Sequence, residues 1–200
     1  MGDLRLESLP MPLRWLVPPR SYEVAGPRLV MEAAGGTDWF ADPSGETDPV
    51  RSAPALVGDA LGDFVLRARV EVGFRSTFDA GVLMVHVGDE TWAKLCFEYS
   101  PQREPMIVSV VTNGRSDDAN AFTVDGERAW LRVARIGPAC AFHASTDGAT
   151  WRFVRYFALP GGSEASVGFE AQSPTGQGCV VTFDEIEFEP RRLEELRDGT

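Results

Sequence analysis

A chain of 200 residues with 44% hydrophobic content suits one domain that buries roughly 70% of its unfolded surface around a single core. Its formal charge of −11 argues against nucleic acid or an anionic membrane as the main partner, since both require a basic surface, and favours a neutral or cationic ligand. No apolar run approaches the ~20 residues of a membrane-spanning helix, and 20 glycines with 14 prolines spread along the chain suit short strands joined by turns.

The first 20 residues are punctuated by proline, and Trp15, Leu16 and Val17 can dock on the body. This start has early acidic residues and lacks the basic head and apolar run of a signal peptide. Cys96, Cys140 and Cys179 are odd in number and each falls in a strand pattern, as expected of reduced, buried thiols. Both features point to the cytoplasm. The division expected is an N-terminal extension over 1–21, the domain over 22–190, and a tail over 191–200.

From Tyr22 to Ala33 the pattern predicts a strand pair turned at Gly26-Pro27. A long loop follows, from Gly35 to Gly58, and its Trp39-Phe40 pair between Asp38 and Asp42 is expected to pack over a core edge. Between Asp63 and Phe74 the alternation places Phe64, Leu66, Ala68, Val70 and Val72 inward and Val65, Arg67, Arg69 and Glu71 outward, as in a half-buried antiparallel strand. Residues 78 to 113 read as three successive strands, and Ser116-Asp117-Asp118-Ala119-Asn120 as a polar turn able to cap backbone groups. Later strands are predicted at 130–136, 139–146, 151–157, 166–172 and 179–189, with Asp147-Gly148 as a hairpin signal. Eleven to thirteen strands in all suit an all-β sandwich. The tail is expected to form an exposed helical turn or two.

The middle strand of 78–113 carries the chemistry. Its alternation puts Trp92, Lys94, Cys96 and Glu98 on one face and Ala93, Leu95, Phe97 and Tyr99 on the other. Lys94 is the single lysine beside 18 arginines. At about 3.3 Å per residue, Lys94 and Glu98 stand about 13 Å apart, room for one or two sugar rings between them. Met84 and His86 from one neighbour, and Ser109, Val111 and Asn113 from the other, are expected to share this face. An indole, an ammonium, a carboxylate and an amide are groups that stack on a sugar ring and bond its hydroxyls.

The runs TDWF, FDAGVLM, TWAKLCFE, VSVVTNGRSDDAN, WLRVARIG, FHASTDGATW and VGFEAQSPTG, in that order, resemble a family of bacterial and fungal proteins named after the yeast regulation-of-enolase protein. That family is similar in fold to the concanavalin A-like lectins and glucanases. The resemblance implies a jelly-roll sandwich of two antiparallel sheets, one of them concave and open to ligand. It also raises a protein-interaction role in carbon metabolism.

Combined, these readings select Trp92, Lys94, Glu98 and Asn113 as contacts for a small carbohydrate-like ligand, with Asp117, Asp118, His143 and Gln172 on the rim or neighbouring strands. Binding without catalysis is the favoured expectation, and Glu98 and Glu170 are the carboxylates to test first if the protein is an enzyme. The run Glu185-Ile186-Glu187-Phe188-Glu189 superficially matches a glucanase carboxylate strand. Its place at the domain's end fits a closing strand with an acidic outer face better. His86 and His143 lie in no metal-ligand spacing, the polar cluster lacks the spacing of a Ca²⁺ loop, and no phosphate loop or dinucleotide fingerprint is present, so no metal and no cofactor are expected.

Overall fold

Period-two alternation, β-branched and aromatic residues and frequent turn signals leave the chain little choice but strands. The computed structural model describes residues 3–200 and shows sixteen of them. The first six are β1 (Arg14–Val17), β2 (Ser21–Ala25), β3 (Arg28–Ala34), β4 (Trp39–Phe40), β5 (Val50–Arg51) and β6 (Ala55–Asp59). Next come β7 (Phe64–Val72), β8 (Ala80–Gly88), β9 (Thr91–Tyr99), β10 (Pro105–Asn113) and β11 (Arg115–Thr123). The chain closes with β12 (Arg128–Ile136), β13 (Ala139–Ser145), β14 (Arg152–Ala158), β15 (Ser166–Gln172) and β16 (Gly178–Glu189).

A front sheet runs in the order β1-β6-β15-β8-β9-β10-β11 and a back sheet in the order β14-β13-β12-β7-β16-β3-β2, with β4 and β5 as a separate ribbon. Every strand pairing is antiparallel. The molecule is thus the sandwich of two antiparallel sheets that the sequence leads one to expect.

The core lies between the sheets. Phe64, Leu66, Ala68, Val70 and Val72 of β7 face Leu83 and Val85 of β8, Ala93, Leu95 and Phe97 of β9, and Val167 and Phe169 of β15. Full burial of each larger side chain is worth roughly 1.5–3 kcal/mol, which makes this shared layer the main source of stability. Gly81 is required where β8 comes closest to the back sheet, because a Cβ there would run into Val70 and Val181.

Four stretches differ from the sequence expectations. Within residues 3–21, where no strand was expected, Leu6, Leu9, Met11 and Leu13 are buried in the core and β1 adds an edge strand beside β6. Prolines at 10 and 12 break the pattern, but an edge strand tolerates them nearby. Residues 55–58, read as the end of a loop, belong to β6, which pairs with both β1 and β15. The polar stretch 116–120 is no turn but the middle of β11, the front sheet's last strand, whose polar side chains suit its exposure. The tail forms turns rather than a helix, and Leu193 and Leu196 pack on Val65, Ala134, Ile136 and Ala141 outside the back sheet.

Candidate functional site

With Ala93, Leu95 and Phe97 committed to the core, the pleat turns Trp92, Lys94, Cys96 and Glu98 to the outer face of the front sheet. Across β8 the register sets Trp92 against His86, Lys94 against Met84, Cys96 against Val82 and Glu98 against Ala80. Met84 and His86 therefore do share this face. On β10 the expected parity is reversed: Thr112, Val110, Val108 and Met106 oppose these four residues. Ser109, Val111 and Asn113 point the other way. The turn between Tyr99 and Pro105 sets this register, and nothing in the alternation of β10 alone specifies it.

The loop carrying β4 and β5 roofs the part of the outer face that holds Trp92, Met84 and His86. Trp39 is buried there, its indole N–H donating to the Ala53 carbonyl at 2.8 Å. Its ring packs edge-on to Trp92 and to His86, at 5.5 Å in each case. The Arg51 guanidinium stands 5.6 Å from the centre of the Trp92 ring. Trp92, expected as a stacking plate, is consequently fully buried and presents no ring face to solvent. It anchors the roof instead.

Where the roof ends, beyond Asp38 and Phe40, a cavity of about 280 Å³ opens. Its floor is Lys94, Glu98, Val110, Asp118 and Gln172, and its walls are Asp38, Phe40, Phe78, Pro174 and Thr175. Lys94 Nζ donates to Asp38 Oδ1 at 2.9 Å and to Gln172 Oε1 at 2.7 Å. The Gln172 amide donates in turn to the Phe78 carbonyl at 3.1 Å. Phe78 holds a left-handed backbone, φ 69°, which is unfavourable for a bulky residue and persists here because its amide donates to the Tyr99 carbonyl at 2.7 Å.

Burial dominates the electrostatics. It pushes Glu98 up to about 8, with Lys94 opposing and the carboxylates of Asp118, Asp38 and Glu170 reinforcing the shift. Glu170, beneath the same face on β15, is pushed up by burial to about 8 against the pull of Lys94, and neither of its oxygens has a hydrogen-bond partner among the described residues. Asp118 is raised by burial as well. Burial acts on Lys94 in the opposite sense, but the paired Asp38 carboxylate opposes it and holds the ammonium charged. At neutral pH the site therefore combines one neutralised ion pair with two largely protonated carboxyls. Cys96 is raised well above an ordinary thiol by its burial, which disfavours the thiolate.

The structure thus brings together Lys94, Glu98, Asp118 and Gln172 of the residues singled out by sequence. It leaves the others apart. Asn113 is exposed at the β10–β11 turn, and Asp117 faces the opposite side of β11, where it pairs with Arg155 at 3.0 Å. His143 lies on the back sheet, its Nε2 2.8 Å from the Leu196 carbonyl oxygen, and burial lowers it to about 4. Sequence reasoning missed Phe78, Pro174 and Thr175 as cavity walls. Asp38 and Phe40 stood out only as part of a polar loop, because their approach to β9 is a tertiary event with no local signature. Among the described residues, no cluster of His, Cys, Asp and Glu could hold a metal ion.

The family model for a protein of unknown function, DUF1349, matches residues 15–191. The chain is 31% identical over 174 residues to the Saccharomyces cerevisiae protein called Regulation of enolase protein 1, covering 86% of each. A crystal structure of a functionally unknown protein from Saccharomyces cerevisiae superposes with a TM-score of 0.82 at 28% identity, over 88% of this chain and 95% of that one. The GH43 protein BlXynB from Bacillus licheniformis gives a TM-score of 0.71 at 12% identity, over 90% of this chain and 37% of that one, a likeness of fold alone.

Proposed function

Because the chain belongs to the DUF1349 family of proteins of unknown function, its role has to come from its own site, and we propose that the front cavity binds one carbohydrate ring, or a polyol of that size, without chemistry. The observation that carries this reading is the convergence on one cavity of an ammonium, three carboxyls and an amide from three strands and one loop, beside the rings of Phe40 and Phe78. Apolar walls suit the C–H faces of a sugar, and the polar floor suits its hydroxyls. With Glu98 protonated and Asp38 matched to Lys94, the floor offers donors and acceptors with little net charge, as a neutral ligand requires. A volume of about 280 Å³ is near the low end of ligand cavities and suits a single ring rather than an oligomer.

In this reading the outer face of the front sheet is the ligand face of a concanavalin A-like sandwich, and the protein works in the cytoplasm, in keeping with three free, buried cysteines. The test is a thermal-shift screen of neutral monosaccharides, polyols and sugar phosphates. A ligand present at 100 times its dissociation constant stabilises the fold by about 2.7 kcal/mol. A neutral sugar that raises the melting temperature of the natural protein and not of Phe78→Ala supports the reading; stabilisation by none of the neutral compounds contradicts it.

A further inference from the structure

The outer face of the back sheet carries a second cavity, of about 560 Å³, bounded by Arg67, Arg132, Trp151, Arg191 and Arg192 together with Glu189 and Glu194. Four arginines face two glutamates and the carboxylate of Thr200, which still leaves it locally cationic in a chain of net charge −11. Its centre is Arg132 on β12, only 3% exposed, with its guanidinium 4.2 Å from the centre of the Trp151 ring. Among the described residues nothing hydrogen-bonds its Nε or its Nη2.

Those two atoms form the side-on fork with which arginine grips an oxyanion. The same protein uses it twice nearby: Arg67 reaches Glu187 through Nε and Nη2, and Arg69 reaches Asp184 through Nε at 2.7 Å and Nη2 at 2.8 Å. Arg132 has the fork and no carboxylate. Burying a guanidinium without a counter-charge is costly, and the cost here is compounded by its neighbours: burial first, then Arg191 and Arg67, lower Arg132 to about 10. Glu189 and Asp198 offset this only in part, and neither bonds the guanidinium: Glu189 is engaged by Arg191 at 2.8 Å, as Glu187 is by Arg67.

We propose that this cavity is a binding site for a small molecule bearing an oxyanion, carboxylate or phosphate, gripped by the Nε–Nη2 fork of Arg132 with Arg67 and Arg191 at its rim. The C-terminal segment is its cover. Gly199 lies against Arg132 Nη2, close enough that a Cβ there would push the guanidinium aside, and the segment is held by the contact between the Leu196 carbonyl and His143 and by Arg197 over Phe153 at 5.2 Å. An oxyanion entering the fork displaces Gly199 from the guanidinium.

Titration of the full chain with inorganic phosphate, and separately with malonate, against sodium chloride at matched ionic strength, tests this by ¹⁵N–¹H NMR. The Arg132 Nε–H and Gly199 amide resonances are expected to shift saturably with one or both probes, and whichever probe saturates distinguishes a phosphate from a carboxylate ligand. Replacing Arg132 with Lys or Met is expected to weaken binding at least roughly tenfold, since neither supplies the fork, whereas Arg14→Gln on the far sheet edge leaves it unchanged. Shifts that only track ionic strength, or saturable binding that survives in Arg132→Lys, overturn the proposal. The titration of the unsubstituted protein decides the matter even if a variant fails to fold.

Discussion

Lys94 sits at the centre of a buried charge network: 2% exposed, paired with Asp38 and bonded to Gln172, with Glu98 and Glu170 pushed up around it. Removing one partner of a buried pair leaves an uncompensated charge, so Lys94→Met should cost about 3–5 kcal/mol, read from denaturant unfolding. The glutamates make a prediction of opposite sign. Each has a folded-state pKa of about 8 against an ordinary value of 4.5, so between those pH values the folded state holds a proton that the unfolded state has released. Each group's contribution therefore falls as pH rises from 4.5 to 8 and levels off above. Glu170→Gln, which needs no proton to stay neutral, should match the natural protein near pH 4.5 and gain on it steadily to pH 8. Parallel stability curves for the two proteins across that range would show that Glu170 is not held neutral.

Among the elements, β7 and β9 were legible because each alternates cleanly and one face is wholly apolar, which leaves only one way to place it against a core. β10 alternates less clearly: Val108 and Val110 face outward while Ile107 lies in the core, so hydrophobicity does not reveal its parity. β11 carries Ser116, Asp117, Asp118 and Asn120, residues that favour turns, and it becomes a strand because β10 offers it a paired edge. The loop bearing β4 and β5 was legible as a loop, and its role as a roof was not, because Trp39 finds Trp92 and His86 only in the folded molecule. Trp39→Ala should cost roughly 3–5 kcal/mol and expose Trp92, seen as lower stability together with a red-shifted fluorescence spectrum. Retention of full stability would mean that the roof is not anchored by this residue.

At the scale of the molecule, the two sheets share one apolar layer and present chemically different outer faces. The front face is near-neutral and polar under a roof, and the back face is rich in arginine under the tail. Composition announced the sandwich, since no helix could be built from so many glycines, prolines and two-residue alternations. It did not announce the cavities, because both arise where a loop or a terminus folds back across a sheet. The whole fold also stands without disulfides, all three cysteines being free and buried, so its melting temperature should be the same with and without reductant. The central claim, ligand binding at the front cavity, is tested most directly by calorimetric titration of neutral monosaccharides into the natural protein and into Asp118→Asn. Asp118→Asn replaces a floor carboxyl with an amide, and a side-chain hydrogen bond is worth about 0.5–1.5 kcal/mol, so saturable binding is expected that weakens several-fold in the variant while the fold keeps its melting temperature. Equal affinity in the two proteins, or no binding by either, would contradict it.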